Sequence, residues 1–232
     1  MKCHAIQVVI MCKAPVAGSV KTRLMSRYTA NEAATLHAAM ATTVIQRAGR
    51  LFNDVVIAAD DAQHPFFQPF ALPVVSQGEG DLGVRMQRQI ERAMHSGAAA
   101  VLLLGTDSPH MPDARLLAAT DALKNADIVL GPVEDGGYDL IGMNRTLSLF
   151  DGVAWSSTHV LSQTLANIRR QQLTFSLLDA SFDVDFPADI DRAIRAGWQL
   201  NMDDVSPAEG ECLARSFRPI SSRSNTRSNS DC

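Results

Sequence analysis

The chain has only four cysteines, Cys3, Cys12, Cys212 and Cys232, and they stand near its two ends without metal-type spacing. That excludes a disulfide framework and a zinc ribbon, and fits free thiols in a reducing compartment. Cys12 lies near a candidate loop but lacks a companion His or Asn in the arrangement of a thiol nucleophile. Long apolar runs are missing too. A spanning helix needs roughly 18 apolar residues. "AIQVVIM" is too short, and no small-residue cleavage site follows it. The expectation is a cytoplasmic protein with no membrane partner. Nor is there an excess of basic charge. The net charge is -4, so a polyanion-binding surface and a nucleic-acid partner are not expected. A small phosphorylated ligand held by a local basic cluster remains compatible. The six histidines, His4, His37, His64, His95, His110 and His159, show no metal-ligand spacing. Of these, His110 is near enough to the turn at Asp107 to be a candidate substrate contact. No G-x-S-x-G nucleophile elbow appears, and nothing speaks to oligomeric state.

What is present is ordinary globular material. With 232 residues, 46% of them hydrophobic, the chain has enough apolar side chains for one sizeable core. The expected organisation is one domain over residues 1–214 and a disordered tail over 215–232. "SFRPISSRSNTRSNSDC" is Ser, Arg and Asn with little to bury against its ordering entropy. Strands are expected at 5–11, 54–59, 72–77, 99–105, 127–132, 138–143 and 173–178, from β-branched and continuous apolar runs. Helices are expected at 29–50, 81–97, 112–126, 157–172 and 187–200. The first has capping-box spacing at Thr29 and Glu32, the second ends at Gly97, and the last has Pro187 near its start. "AAVLLL" is apolar on both faces, as a central parallel strand requires. Strict strand–helix alternation in the first half predicts an α/β fold, a three-layer, doubly wound and mainly parallel sheet. From Gly131 to Ser157 the order becomes irregular, and an acceptor-side subregion is expected there.

Five stretches carry chemistry. "KAPVAGSVKTRL" follows the first strand, where open α/β sheets bind ligands. It places Lys13, Lys21 and Arg23 in a loop with Pro15 and Gly18, a composition suited to phosphate. It is not a Walker A loop, because Val20 stands where that motif needs Gly. "QGEGDLGVRM" has three glycines that let backbone approach a ligand. Asp81 is placed to cap the next helix, and Gln77 or Arg85 to contact a base or phosphate. "GTDSP" ends the most buried-looking strand with Asp107. This is either a turn residue or a hard oxygen ligand for magnesium or manganese, since a carboxylate beside an apolar layer is costly unless paired. "GPVEDGGYDLIG" reads as an Asp-Gly hairpin, yet Glu134, Asp135 and Asp139 are more carboxylates than a hairpin requires. "FDVDFPADID" alternates Asp183 and Asp185, which face opposite ways if extended.

In this order, with "WSSTHVLSQT", these stretches resemble a family of bacterial GT-A-like glycosyltransferases, some of them assigned to arsenosugar biosynthesis. The similarity spans roughly Ala5 to Gly197. More distantly the chain is similar to the molybdenum-cofactor and phospholactate nucleotidylyltransferases. The resemblance implies a nucleotide-diphospho-sugar transferase fold. It puts the nucleotide over the first-strand loop, with Lys13, Gly18, Lys21, Arg23, Gln77 and Asp107 as its contacts. It makes Asp107 and Asp185 the metal ligands, with Asp183 beside them. Gly136, Gly137, Tyr138 and Trp155 would line the sugar or acceptor pocket. Three departures from the family pattern fall at Phe186 and Ala188 (Thr and Glu in "DVDTPED"), at Asp139 (an aromatic) and after "WSST" (a missing Pro).

The implied function is a transferase dependent on magnesium or manganese, moving a sugar from a nucleotide-sugar donor to a small acceptor. Lys21 and Arg23 would stabilise the departing diphosphate, and Asp135 would position or deprotonate the acceptor hydroxyl. Two alternatives stand beside it. One is nucleotidyl transfer from a nucleoside triphosphate, with release of pyrophosphate. The other is a nucleotide-binding module without chemistry.

Overall fold

A computed structural model describes residues 6–200. The expected tail, and Cys3, Cys212 and Cys232, lie outside the described residues. Seven strands form one sheet: β1 (Ile6–Cys12), β2 (Val55–Ala59), β3 (Val74–Ser76), β4 (Ala100–Leu104), β5 (Ile128–Pro132), β6 (Tyr138–Met143) and β7 (Phe175–Leu177). Five helices accompany them: α1 (Ala30–Leu51), α2 (Leu82–His95), α3 (Asp113–Ala122), α4 (Val160–Arg170) and α5 (Pro187–Arg195). The sheet order is β3-β2-β1-β4-β6-β5-β7. Every pairing is parallel except those of β6, which is antiparallel to both β4 and β5. The doubly wound, mainly parallel α/β architecture is therefore present. The irregular stretch from Gly131 is a β5–β6 hairpin whose return strand inserts beside β4.

The three layers follow from side-chain alternation. On one face Val8, Ile10, Leu102 and Leu104 meet Val44, Ile45 and Ala48 of α1 and Leu116 and Ala119 of α3. On the other, Val9, Val101, Leu103 and Ile141 meet Met86 and Ile90 of α2 and Leu165 and Ile168 of α4. Successive strand residues point to opposite faces, so a central strand covered on both sides must be apolar throughout, as β4 is. A third cluster joins Leu36 and Met40 of α1 to Ile190, Ala193 and Trp198. The Trp198 indole N–H reaches Thr43 Oγ1 at 3.1 Å. Burial of such aromatic area is worth about 25 cal/mol per Å², which anchors α5 and the segment before it.

Local signals set several boundaries. Thr29 caps α1 reciprocally with Glu32, and Asp81 Oδ1 accepts from the Val84 N–H at the start of α2. The helix expected from residue 157 begins instead at Val160, because Ser157 Oγ turns back to accept from the His159 N–H. Two short 3-10 turns, Thr22–Ser26 and Pro65–Phe70, are additional to the sequence expectation. The second packs its phenylalanines edge to face.

Sheet order positions the site. From β1 the chain winds outward to β2 and β3, then returns past β1 to β4 on its other side. The carboxyl ends of β1 and β4 thus flank the point where winding reverses, where such sheets open a crevice.

Candidate active site

One cavity of about 750 Å³ lies over that crevice. The loop after β1, the turn after β4, the β5–β6 hairpin, the 155–158 loop and the 183–185 segment all border it. Two backbone bonds bring these pieces together. The Gly105 N–H donates to Asp139 O, tying β6 to the turn after β4, and the Val184 N–H donates to Asp107 O, laying the 181–186 segment along the same turn.

At the β1–β4 end the charges interlock. Lys21 Nζ donates to Asp107 Oδ1 at 2.8 Å, to Asp185 Oδ1 at 3.0 Å and to the Val184 carbonyl at 2.7 Å. An ammonium has three donors, so this one is saturated. The Lys21 side chain is only 6% exposed, whereas Asp107 keeps 47% of its side chain open to the cavity. Burial alone would push the Lys21 pKa down, but Asp107 and Asp185 hold it above its ordinary value. Burial likewise opposes the Asp107 charge, and the Lys21 ammonium keeps that carboxyl below the usual range. Arg23 Nη1 reaches Asp185 Oδ2 at 2.6 Å and lies over the Phe186 ring. The Phe186 that departs from the family pattern is thus exposed and touches Arg23, while Asp189 accepts from its N–H.

Asp183 and Asp185 both border the cavity, contrary to the expectation that alternation would turn one away. Asp183 accepts from Ser108 Oγ at 2.7 Å. Burial first, and then the Asp107 charge, push its pKa up to about 7.

Other expected contacts fall differently. Lys13 is exposed at the cavity edge without a side-chain hydrogen bond among the described residues, and its charge adds to that of Lys21 in favouring the Asp107 carboxylate. Gly18 sits with φ 80 in the loop and does not line the cavity. Gln77 does line it, but its amide nitrogen is committed to the Cys12 and Ala58 carbonyls, knitting β1 to β2. Arg85 donates to the Gly80 carbonyl. His110 is not part of the cavity: it stacks on Phe182 at 3.8 Å and meets Ser181. Burial, then the charges of Arg192, Arg47 and Arg115, lower its pKa to about 4. Cys12 is buried, and desolvation pushes its thiol far up, so it is no nucleophile.

The hairpin end has another character. Asp135 Oδ1 accepts from the Gly137 N–H two residues on, at 2.8 Å, and the side chain is exposed at the cavity edge. Gly136 faces away from the cavity: its carbonyl accepts from the Leu161 N–H of α4. With φ 89, a Cβ there would fall 2.2 Å from the Thr158 carbonyl. Glu134 leaves the site to pair with Arg192. Asp139 is buried against Arg115 at 2.9 and 3.0 Å, which accounts for an acid where the family has an aromatic. Tyr138 and Trp155 line the cavity with their rings, while the Tyr138 hydroxyl is buried beside Thr164 of α4 and the Trp155 N–H is buried without a partner. Trp155 lies on Phe150 and so close to α2 that a Cβ on Gly83 would come within 2.9 Å of the indole.

One titratable cavity residue carries no motif in the sequence. His37 lines the cavity floor, its Nε2 at 2.9 Å from the Lys13 carbonyl and its Nδ1 unpartnered. Its spacing in α1 matches the apolar stripe, so only the lone polar residue on that stripe marks it.

Among the described residues, no group of three His, Cys, Asp or Glu side chains is arranged to hold a metal. Two carboxylates, Asp107 and Asp185, converge on one point. Magnesium is commonly held by one or two carboxylates with waters and substrate phosphates, so this donor set fits a divalent ion shared with a phosphorylated ligand.

The architecture is the nucleotide-diphospho-sugar transferase fold. A crystal structure of a putative nucleotide-diphospho-sugar transferase from Desulfovibrio desulfuricans G20 is 31% identical, with a TM-score of 0.76 over 87% of this chain and 91% of that one. The fold also matches a CMP:2-keto-3-deoxy-manno-octonic acid synthetase complexed with CTP (13% identity, TM-score 0.56, 83% and 97% covered). It matches a 4-diphosphocytidyl-2C-methyl-D-erythritol synthase from Anaerococcus prevotii DSM 20548 as well (11%, 0.53, 82% and 96%). The model of one bacterial family, described as "Uncharacterized protein conserved in bacteria (DUF2064)", matches residues 39–157. The chain belongs to that family. No curated protein matches it.

Proposed function

We propose that the protein is a metal-dependent glycosyltransferase that moves a sugar from a nucleotide-sugar to a small acceptor. One observation carries this reading. A basic loop and the carboxylates Asp107 and Asp185 meet in a single cavity, at the reversal point of the sheet, facing an aromatic hairpin end. The kinship with a chain described as a putative nucleotide-diphospho-sugar transferase supports it. The cavity border carries Lys13, Lys21 and Arg23 against Asp107, Asp135, Asp183 and Asp185, while Asp139 is matched by Arg115. Acid outnumbers base there, so a diphosphate needs a further cation. Asp107 and Asp185 would hold magnesium or manganese, which supplies neutralisation of charge on the departing diphosphate.

The chain's own residues have the remaining tasks. Lys13, exposed at the cavity edge, binds phosphate oxygen, and Arg23 adds positive charge beside it. Tyr138 and Trp155 give the sugar or acceptor a flat apolar wall. Asp135 spends one oxygen on its own turn and presents the other to the acceptor hydroxyl, orienting it and taking its proton.

The test is a panel of nucleotide-sugars and nucleoside triphosphates with manganese or magnesium, scored for nucleoside diphosphate and pyrophosphate. Release of nucleoside diphosphate from a nucleotide-sugar is expected. Pyrophosphate release would assign nucleotidyl transfer instead. Binding without turnover of any donor would leave a binding module.

A further inference from the structure

The expectation for Lys21 was a phosphate contact, and its geometry contradicts that for the free protein. All three ammonium donors are taken, by Asp107, Asp185 and the Val184 carbonyl, and the side chain is almost wholly buried. The residue enters this position from a left-handed backbone, with φ 47 and ψ 41, a conformation uncommon for a residue with a Cβ. The two carboxylates it bridges, 86 and 164 positions away in the chain, are those assigned to the metal. Two such carboxylates facing one point would repel without a cation between them. A lysine and a divalent ion cannot share that point.

We infer that Lys21 is a built-in counter-ion that stands in for the metal, so that metal and diphosphate must displace it together. This rests on the reading of Asp107 and Asp185 as metal ligands. The metal alone would have to evict a saturated, buried ammonium from both carboxylates and leave it only the Val184 carbonyl, which is costly. A diphosphate changes that balance. It offers the released ammonium new acceptor oxygens and offers the metal the ligands that two carboxylates do not supply. Metal and diphosphate are then thermodynamically coupled, and each raises the affinity of the other by the same factor. Arg23 remains on Asp185 and keeps that carboxylate oriented during the exchange.

Equilibrium dialysis of manganese against the full chain tests this, with inorganic pyrophosphate as the diphosphate probe. Couplings of this kind are typically 5–150-fold. Wild-type protein is expected to retain manganese weakly alone and at least about tenfold more tightly with pyrophosphate. Lys21→Met removes the counter-ion and should bind manganese alone about tenfold more tightly than wild type, with most of the pyrophosphate dependence gone. Lys21→Gln, which keeps a hydrogen-bond donor without the charge, covers the case in which the methionine variant fails to fold, and should behave likewise. Equal manganese affinity with and without pyrophosphate in wild type overturns the inference, as does a folded Lys21 variant that binds manganese no more tightly. Failure of every protein to retain manganese under any condition overturns the metal assignment itself, and this inference with it.

Discussion

Two turns in this molecule look alike in sequence and differ in structure. "GTDSP" and "EDGGY" each follow an apolar strand, and each carries an aspartate among Gly or Pro. Asp135 serves its own turn, accepting from the Gly137 N–H two residues on. Asp107 does nothing for its own turn that the described contacts record. Its carboxylate meets Lys21, and its carbonyl meets Val184. A carboxylate satisfied locally explains its loop. One satisfied only from far along the chain explains a site, because the fold has brought opposite charges to a point where burial would otherwise be costly. Both aspartates border one cavity, and the proposed function gives the cation to the first and the acceptor to the second.

The largest expected effect of breaking the comparison is at Asp107. Asp107→Asn should reduce metal-dependent turnover by three orders of magnitude or more, on the scale of about 4 kcal/mol of lost transition-state stabilisation. It should also lower stability by roughly 1–3 kcal/mol, because it weakens the acceptor of a buried ammonium. Turnover at saturating manganese and a urea melt check the two parts. Full activity would return Asp107 to a turn role. Asp135→Asn sharpens the contrast, since Asn still accepts from the Gly137 N–H. Stability should stay within about 0.5 kcal/mol, while transfer falls by roughly 10²–10⁴-fold with donor hydrolysis by water spared. Equal loss of both rates would move Asp135 to the donor side.

Three smaller effects follow, the first two at the supports of each turn. Gly136→Ala should cost about 2–4 kcal/mol, since the added methyl meets the Thr158 carbonyl at positive φ. A melt that does not shift would show that the hairpin can leave α4 cheaply. His110 lies behind "GTDSP" on Phe182. Its folded pKa of about 4 is below the ordinary value of 6.5, so the unfolded chain binds the extra proton first. Its contribution is complete above pH 6.5 and is lost as pH falls towards 4, on the order of 2–3 kcal/mol. His110→Gln should flatten that limb of the stability–pH curve, and an unchanged slope would refute the assignment. Lys13→Ala should leave stability unchanged and weaken donor binding by about 1.5–3 kcal/mol, read by calorimetry. Unchanged affinity would exclude Lys13 from the phosphate site.

What could be read before folding follows from how local each signal is. β4 and α1 were legible because a double-sided apolar run and a capping box are contained in a few residues. The placement of β6 was not, since nothing within "YDLIGM" says that it inserts antiparallel beside β4 instead of lying at an edge. Asp107, Asp185 and Lys21 were legible as candidates through their motifs, but the bond between them was not, because its partners are separated by most of the chain. For the same reason Lys21 was expected on phosphate and is found on carboxylates. Gln77 was expected on the nucleotide, yet its amide nitrogen binds two strand carbonyls, an obligation visible only once β1 and β2 are paired. Gly18 and Gly136, expected to face ligand, serve backbone conformation and close packing instead. His37 had the spacing of a core residue and no motif to mark it.

The central claim is that the cation belongs to Asp107 and not to Asp135. An anomalous difference map from crystals grown with manganese and a nucleoside diphosphate tests it most directly. The account predicts one manganese peak touching the Asp107 and Asp185 carboxylates, with Lys21 turned away from both. A peak at Asp135 and the hairpin, or a diphosphate bound without manganese while Lys21 still bridges Asp107 and Asp185, would contradict it.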